Sequence, residues 1–290
     1  MRYVDGKTNS KIEKFVGCAI VLVGTIILPL SSVSAQAAGT EQSSMQGGDA
    51  PADARDPNAY ANGYEYTGMA GWEETDEITY GKIIFDQLEY RNNDGRDTFR
   101  WDMQAWRGKD YKKFWVKFEG EDEIATKAGD LEIQALYSRT IMPFWDIQVG
   151  VRYDRLYGPE LGQDRFFAVI GLQGLAPYWF DVEPALFISE DGDVSARLTG
   201  TFDWLITQRL ILQPRIEANV AASKAPEFGV GNGFNDLQLG ARLRYEFRRE
   251  FAPYVGVSWR REFGNTAELT RADGGSVKNV ALVAGVRVWF

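Results

Sequence analysis

Histidine is absent from the chain, and cysteine occurs once, as Cys18. Without histidine there are no Ser-His or Cys-His nucleophile pairs, no histidine acid–base catalysis and no imidazole metal ligands. A single cysteine excludes an internal disulfide framework and a CxxC motif. The net charge of −9 argues against a nucleic-acid partner, because neutralising phosphates requires a basic surface. We therefore expect a protein without catalytic activity that does not bind nucleic acid.

A helical hydrophobic period is also missing after Ile78, and charged residues at 25% argue against a helical membrane protein. Aromatic residues are plentiful at 13%. Apolar and polar residues alternate instead, and this period of two predicts β-strands. Twelve such segments are predicted, at 79–90, 98–107, 112–120, 130–139, 144–154, 165–174, 178–188, 194–206, 208–221, 236–248, 252–263 and 280–290.

Each predicted strand has one apolar and one polar face. In segment 236–248, Leu239 and Leu243 lie on the apolar face and Arg242 and Arg244 on the polar face. The last segment, VALVAGVRVWF, alternates in the same way and ends on Phe290. A soluble two-sheet sandwich also alternates, with its polar face in water, so the pattern alone leaves both architectures open.

Three features favour a barrel in a membrane. The segments are long enough to cross a bilayer when tilted. Short connections alternate with longer ones, the latter at 121–129, 155–164, 222–235 and 264–279, as in outer-membrane barrels. Aromatic residues near segment ends suit the two lipid–water interfaces. The sequence therefore predicts an all-β, transmembrane antiparallel up-and-down β-barrel of about 12 strands, preceded by a flexible tail.

Closure of the barrel follows from the membrane, since an unpaired strand edge finds no water in hydrocarbon. The last strand is therefore expected to pair with the first. An even strand number places both ends in the periplasm.

The first 37 residues read as a secretory signal peptide. Lys11 and Lys14 belong to a basic start, Phe15 to Leu30 is uncharged and apolar, and small residues follow in a cleavage pattern around Ala35. A transmembrane anchor is the alternative, but the apolar run is slightly short and contains Pro29. We expect cleavage of 1–37, a flexible periplasmic segment at 38–77 and a barrel at 78–290, located in the cell outer membrane and in contact with its lipid.

The inward face of the predicted barrel is strongly charged with both signs. One interpretation is a lattice of ion pairs filling a narrow barrel, which the similar numbers of arginine and carboxylate favour. The other is a hydrated path or a cation site framed by carboxylates. The predicted inward residues are Arg100, Asp102, Gln104, Glu132, Gln134, Asp146, Gln148, Arg152, Arg165, Asp181, Glu183, Arg197, Asp203, Arg209, Arg215, Glu217, Arg242, Arg244 and Glu246.

Long stretches of the barrel region resemble the copper resistance protein B family. They include WDMQAWRGKDYKKFWVKFEGE, PFWDIQVGVRYD, GLQGLAPYWFDVEPALFISEDGDVSARL and LRYEFRREFAPYVGVSW. The resemblance covers nearly all of 78–290. It implies an outer-membrane barrel of Gram-negative bacteria that serves copper tolerance beside a periplasmic multicopper oxidase. The terminal Phe290 resembles the signal that outer-membrane barrels present to their assembly machinery.

Copper ligands are less clear, because the chain departs from the family at its N-terminal segment. Family members commonly carry a segment rich in methionine and histidine there, whereas 38–77 has only Met45 and Met69. Thioether sulfur suits Cu(I), but a site usually needs several such ligands, which favours the interpretation of both as ordinary linker residues. The next candidate metal ligands are the lumen carboxylates Asp102, Asp146, Asp181 and Glu183.

The expected function is copper resistance and copper homeostasis, by binding or passing copper ions without catalysis and without an organic cofactor. The alternative is a porin-like diffusion channel for small solutes that has no copper role. An adhesive barrel that acts through its long loops is a further possibility. An outer-membrane protease or phospholipase is disfavoured, since familiar examples use a histidine base.

Overall fold

The computed structural model describes residues 79–93, 96–158, 162–177 and 179–290. The predicted signal peptide, the tail and the methionines Met45 and Met69 lie outside these residues. Within them the chain forms thirteen strands and one α-helix. The strands are β1 Tyr80–Asn92, β2 Thr98–Lys109, β3 Lys112–Glu123, β4 Gly129–Met142, β5 Trp145–Tyr157, β6 Gly162–Ala176, β7 Phe180–Ser189, β8 Val194–Phe202, β9 Trp204–Leu205, β10 Leu210–Ala221, β11 Gly233–Tyr245, β12 Phe251–Glu262 and β13 Lys278–Trp289.

All strands belong to one antiparallel sheet that closes on itself. Each strand pairs with the next one in sequence, except that β8 pairs with β10 rather than with β9, and β13 pairs with β1. The two-residue strand β9 continues β8 along the edge of β10, so the barrel has twelve strands around its wall. The predicted pairing of the last strand with the first is confirmed. At this seam the Phe290 backbone N–H donates to Ile83 O at 2.9 Å, and Ile83 N–H donates to Phe290 O at 3.0 Å.

Alternation along each strand separates two surfaces, as the sequence predicts. The outer surface is apolar and exposed, as expected of the surface that contacts lipid in a membrane barrel. In β13, for example, Leu282 is 65% exposed on the outside while Val283 is 3% exposed on the inside. Outward apolar residues of other strands include Val149, Val151, Ile170, Leu239, Leu243, Val255 and Val257.

The two ends of the barrel differ in their connections. We call the turn end the one that holds the start of β1, the end of β13 and the connections 110–111, 143–144, 177–179, 206–209 and 246–250. We call the opposite end the loop end. Most of its connections are shorter than predicted, because the strands extend further and leave only 124–128 and 158–161 where longer loops were expected.

The loop end carries the two long connections, and one of them is not a plain loop. Helix α1, Gly264–Ala272, lies within the connection predicted as a loop at 264–279. Thr266 Oγ1 accepts a hydrogen bond of 3.0 Å from the Gly231 N–H of the other long connection. A Cβ on Gly231 would lie 2.3 Å from the Thr266 nitrogen, so only glycine allows this approach. The two connections therefore pack together over the loop end.

No helix among the described residues is long and apolar enough to cross a bilayer.

Candidate functional site

The candidate site is the barrel lumen, and β1 shows how the sequence builds it. The register of β1 shifts between Phe85 and Leu88, which marks a β-bulge. The bulge turns the consecutive residues Asp86 and Gln87 inward together. Arg287 donates to Asp86 at 2.7 Å, and Arg242 donates to Gln87 at 3.2 Å. Strict alternation places consecutive residues on opposite faces of a strand. It therefore does not predict that Asp86 and Gln87 both face the lumen.

Most of the predicted inward residues do face the lumen. The prediction that Arg209 faces inward is wrong. Arg209 is exposed in the connection before β10, because that strand begins one residue later. Several charged lumen residues were not predicted, above all Lys117 and Glu119 on β3. The alternation in KKFWVKFEGE indicates that Lys117 and Glu119 face inward, since Phe114 and Phe118 lie on the opposite face.

Ion pairs cross the lumen near its middle. Arg197 of β8 donates two hydrogen bonds to Glu132 of β4, at 2.8 and 3.1 Å. Arg215 of β10 reaches Asp102 of β2 at 3.1 Å. These partners lie on strands four or five positions apart around the barrel, so the side chains bridge the lumen rather than run along its wall.

We call the whole set the ion-pair lattice; it also includes Lys117–Glu183 at 2.6 Å, Arg152–Glu132 at 2.8 Å, Arg215–Glu217 at 3.3 Å and Arg100–Glu217 at 3.7 Å. Removing a charge from water is costly unless it is paired, and the lattice supplies that pairing. Of the two interpretations of the charged inward face, the lattice of ion pairs is observed, and the cation site framed by carboxylates stays a prediction for the space beside it.

Two cavities remain on either side of the lattice. Cavity A, of about 830 Å³, extends toward the turn end, and cavity B, of about 330 Å³, extends toward the loop end. Among the described residues, Glu119, Phe187 and Arg197 line both cavities, so they form the partition between them. The lumen therefore consists of two chambers that meet at a charged and aromatic partition.

Cavity A carries more carboxylates than cations. Six carboxylate and four cationic side chains are found among its described lining residues, and the carboxylates are Asp86, Asp102, Glu119, Asp181, Glu183 and Asp203. Cavity B also has an excess of negative side chains, with eight carboxylates and six arginines among its described lining residues. An excess of one sign along a pore attracts ions of the other sign, so both chambers favour cations.

Three of the predicted metal ligands meet in cavity A. Asp102 is 1% exposed, and its Oδ1 has no hydrogen-bond partner among the described residues. Glu183 accepts from Lys117 at 2.6 Å and from Gln173 at 3.1 Å. Asp181 lies two residues before Glu183 on the same face of β7 and forms no ion pair with any described residue. Cavity A thus offers carboxylate oxygens that are not fully engaged.

The fourth predicted ligand stands apart from this cavity. Asp146 accepts from Thr140 at 2.6 Å, Lys113 at 3.1 Å and Ser138 at 3.2 Å, and it does not line cavity A. Within the described ranges, no group of three or more acidic, cysteine or histidine side chains is placed to hold a metal ion. Any cation in cavity A would therefore keep part of its water shell.

Comparison with known proteins assigns the family. The model of the copper resistance protein B precursor family matches residues 79–290, which is all but the first part of the chain. The chain belongs to the copper resistance protein B family. It is 41% identical over 209 residues to copper resistance protein B of Escherichia coli, covering 72% of this chain and 69% of that protein. It is 36% identical over 246 residues to the copper resistance protein B homolog of Pseudomonas syringae pv. tomato, covering 83% and 82%.

Two solved porin structures resemble this chain in fold at low sequence identity. The NanC porin superposes with a TM-score of 0.47 at 12% identity, covering 72% of this chain and 99% of that one. The KdgM porin superposes with a TM-score of 0.45 at 11% identity, with the same coverage. The family assignment rests on the sequence relatives, and together with the barrel it indicates the outer membrane.

Proposed function

We propose that this protein supports copper resistance as a non-catalytic outer-membrane barrel that binds or passes copper ions in cavity A. The observation that carries the proposal is the excess of carboxylates in cavity A, where Asp102 Oδ1 lacks a hydrogen-bond partner and Asp181 lacks an ion pair among the described residues. Oxygen ligands in this setting fit Cu(II), and soft thioether ligands such as Met45 and Met69 fit Cu(I).

The ion-pair lattice counts against the alternative of a general diffusion channel. A porin needs a water-filled bore, whereas here side chains on opposite walls meet at 2.8 to 3.1 Å. We expect this lattice to hinder the passage of neutral solutes larger than water. A small cation can instead be passed from one carboxylate to another.

The partners follow from the same proposal. Membrane lipid surrounds the barrel, and by the rule for outer-membrane barrels the turn end faces the periplasm. Cavity A then opens on the periplasmic side, where a multicopper oxidase is the predicted partner. Recognition of Phe290 by the assembly machinery, and cleavage of the signal peptide at 1–37, stay predictions.

The test is copper tolerance after disruption of the gene. We expect disruption to lower the highest copper concentration that permits growth, while uptake of neutral solutes stays unchanged. Wild-type protein should restore tolerance, and the double variant Asp181→Asn/Glu183→Gln should restore it only in part. Its matched control is Glu190→Gln/Asp191→Asn in the exposed β7–β8 turn, which should restore it fully.

The outcomes separate the parts of this proposal. An unchanged copper limit after disruption contradicts the copper role and favours a plain channel. Full rescue by the Asp181/Glu183 variant leaves the copper role standing and removes cavity A as its location. Folding of each variant is checked by the heat-dependent shift in gel mobility that barrels show.

A further inference from the structure

A row of cations lies on the outer surface near the turn end, away from the lumen. In the sheet register Lys109 is opposite Lys112, and Lys112 is opposite Arg139. Arg107 lies two residues before Lys109 on the same face of β2 and is exposed, as are Lys112 and Arg139. We call Arg107, Lys109, Lys112 and Arg139 the outer basic row.

This arrangement is unfavourable for the protein alone. Side chains directly opposite on neighbouring strands have Cβ atoms about 5 Å apart, and like charges there are destabilising. Lys112 and Arg139 form no ion pair with any described residue. The inward neighbour Lys113, by contrast, is paired with Asp146 at 3.1 Å. An anion from outside the protein would offset the repulsion between Lys112 and Arg139.

The neighbours of the row indicate where that anion comes from. The next level toward the barrel middle holds Phe114 and Tyr137, which are 53% and 50% exposed on the same outer face. Beyond Arg139 the same level continues with the apolar residues Ile147 and Leu172. Aromatic side chains at this position mark the lipid–water interface. The cations thus lie at headgroup level, beside the surface that contacts acyl chains.

We propose that the outer basic row binds the phosphate of an anionic phospholipid, with the acyl chains packed on Phe114 and Tyr137. Arginine donates to phosphate oxygens through its planar guanidinium, and lysine adds a point charge. The turn end faces the periplasm, so the lipid is a glycerophospholipid of the inner leaflet such as phosphatidylglycerol. This site is independent of copper and of the lumen.

The experiment counts retained lipids on the full-length protein. Protein reconstituted in nanodiscs of phosphatidylcholine with a minority of phosphatidylglycerol is partly delipidated and analysed by native mass spectrometry. We expect wild-type protein to retain phosphatidylglycerol in preference to phosphatidylcholine. The variant Lys112→Gln/Arg139→Gln should lose this preference by about fivefold for each cation removed.

A matched control removes the same charge elsewhere. Arg155→Gln/Arg261→Gln changes two exposed arginines at the loop end and should retain phosphatidylglycerol as the wild type does. Equal retention of both lipids by the wild type overturns the proposal, as does an unchanged preference in the Lys112/Arg139 variant. An equal loss in the control variant overturns it too, because overall charge would then explain the binding. Preferential retention of lipopolysaccharide in a competition with phosphatidylglycerol would place the row in the wrong leaflet and also overturns it.

Discussion

Replacing Glu89 by glutamine is expected to lower the free energy of unfolding by about 3–5 kcal/mol. Glu89 is 0% exposed and accepts hydrogen bonds from Arg242 at 2.9 and 3.0 Å, from Arg91 at 2.7 Å and from Tyr254 at 3.1 Å. After the substitution Arg242 has only neutral acceptors, the amide oxygens at positions 87 and 89, and becomes a buried charge that has lost its ion pair. Urea titration of tryptophan fluorescence in lipid vesicles measures the change.

Glu190→Gln is the control for this substitution, because Glu190 is exposed in the β7–β8 turn. It should change the free energy of unfolding by less than about 0.5 kcal/mol. The double variant Glu89→Leu/Arg242→Met should recover part of the loss, since removing both partners leaves fewer unpaired buried charges. Equal stability of the wild type and Glu89→Gln would mean that water reaches Glu89 and that the Glu89–Arg242 ion pair is not a dry structural element.

Replacing Arg197 by glutamine is expected to raise the ion conductance of the barrel severalfold. Arg197 lines both cavities and holds Glu132 across the lumen at 2.8 Å, so its side chain both fills the partition and repels cations. Glu132 keeps Arg152 as a partner at 2.8 Å, so the variant retains part of the lattice and should fold. Recordings from single proteins in planar bilayers measure conductance, and the reversal potential in a salt gradient measures selectivity.

The wild type should conduct weakly and prefer cations, because carboxylates outnumber cations in both cavities. Arg261→Gln makes the same substitution at an exposed site of the loop end that lines neither cavity, and it should leave conductance unchanged. Phe187→Ala, which trims the aromatic part of the partition, should raise conductance without changing selectivity. A wild-type conductance as large as that of Arg197→Gln would contradict a narrow partition, and a preference for anions would contradict acidic cavities on either side of it.

Strand number and the outer face were predictable from the sequence, because lipid imposes a strict period of two. The prediction is less complete inside the barrel, where the lumen tolerates apolar as well as polar residues. Leu136, Val169 and Phe187 face inward and form a small buried cluster with Trp115 and Phe167. In β6 the pair Phe166–Phe167 places an aromatic residue on each face, which hides the alternation.

Contacts across the lumen could not be predicted, since partners such as Arg215 and Asp102 are 113 residues apart in sequence. Which arginine meets which carboxylate depends on strand stagger and on the β1 bulge. Helix α1 was also missed, because it packs on other loop-end residues and lacks a strong apolar stripe of its own. The structure shows that Asp86 and Glu119 line cavity A, which the sequence did not predict.

The most direct test of the account is the copper content of purified full-length protein after equilibration with Cu(I) or with Cu(II) and removal of the excess. We expect the wild type and Glu190→Gln/Asp191→Asn to retain Cu(II), and Asp181→Asn/Glu183→Gln to retain less. Retention of Cu(I) alone, lost on replacing Met45 and Met69 by leucine, would move the site from cavity A to the N-terminal segment. Retention of neither ion would contradict copper binding by this barrel.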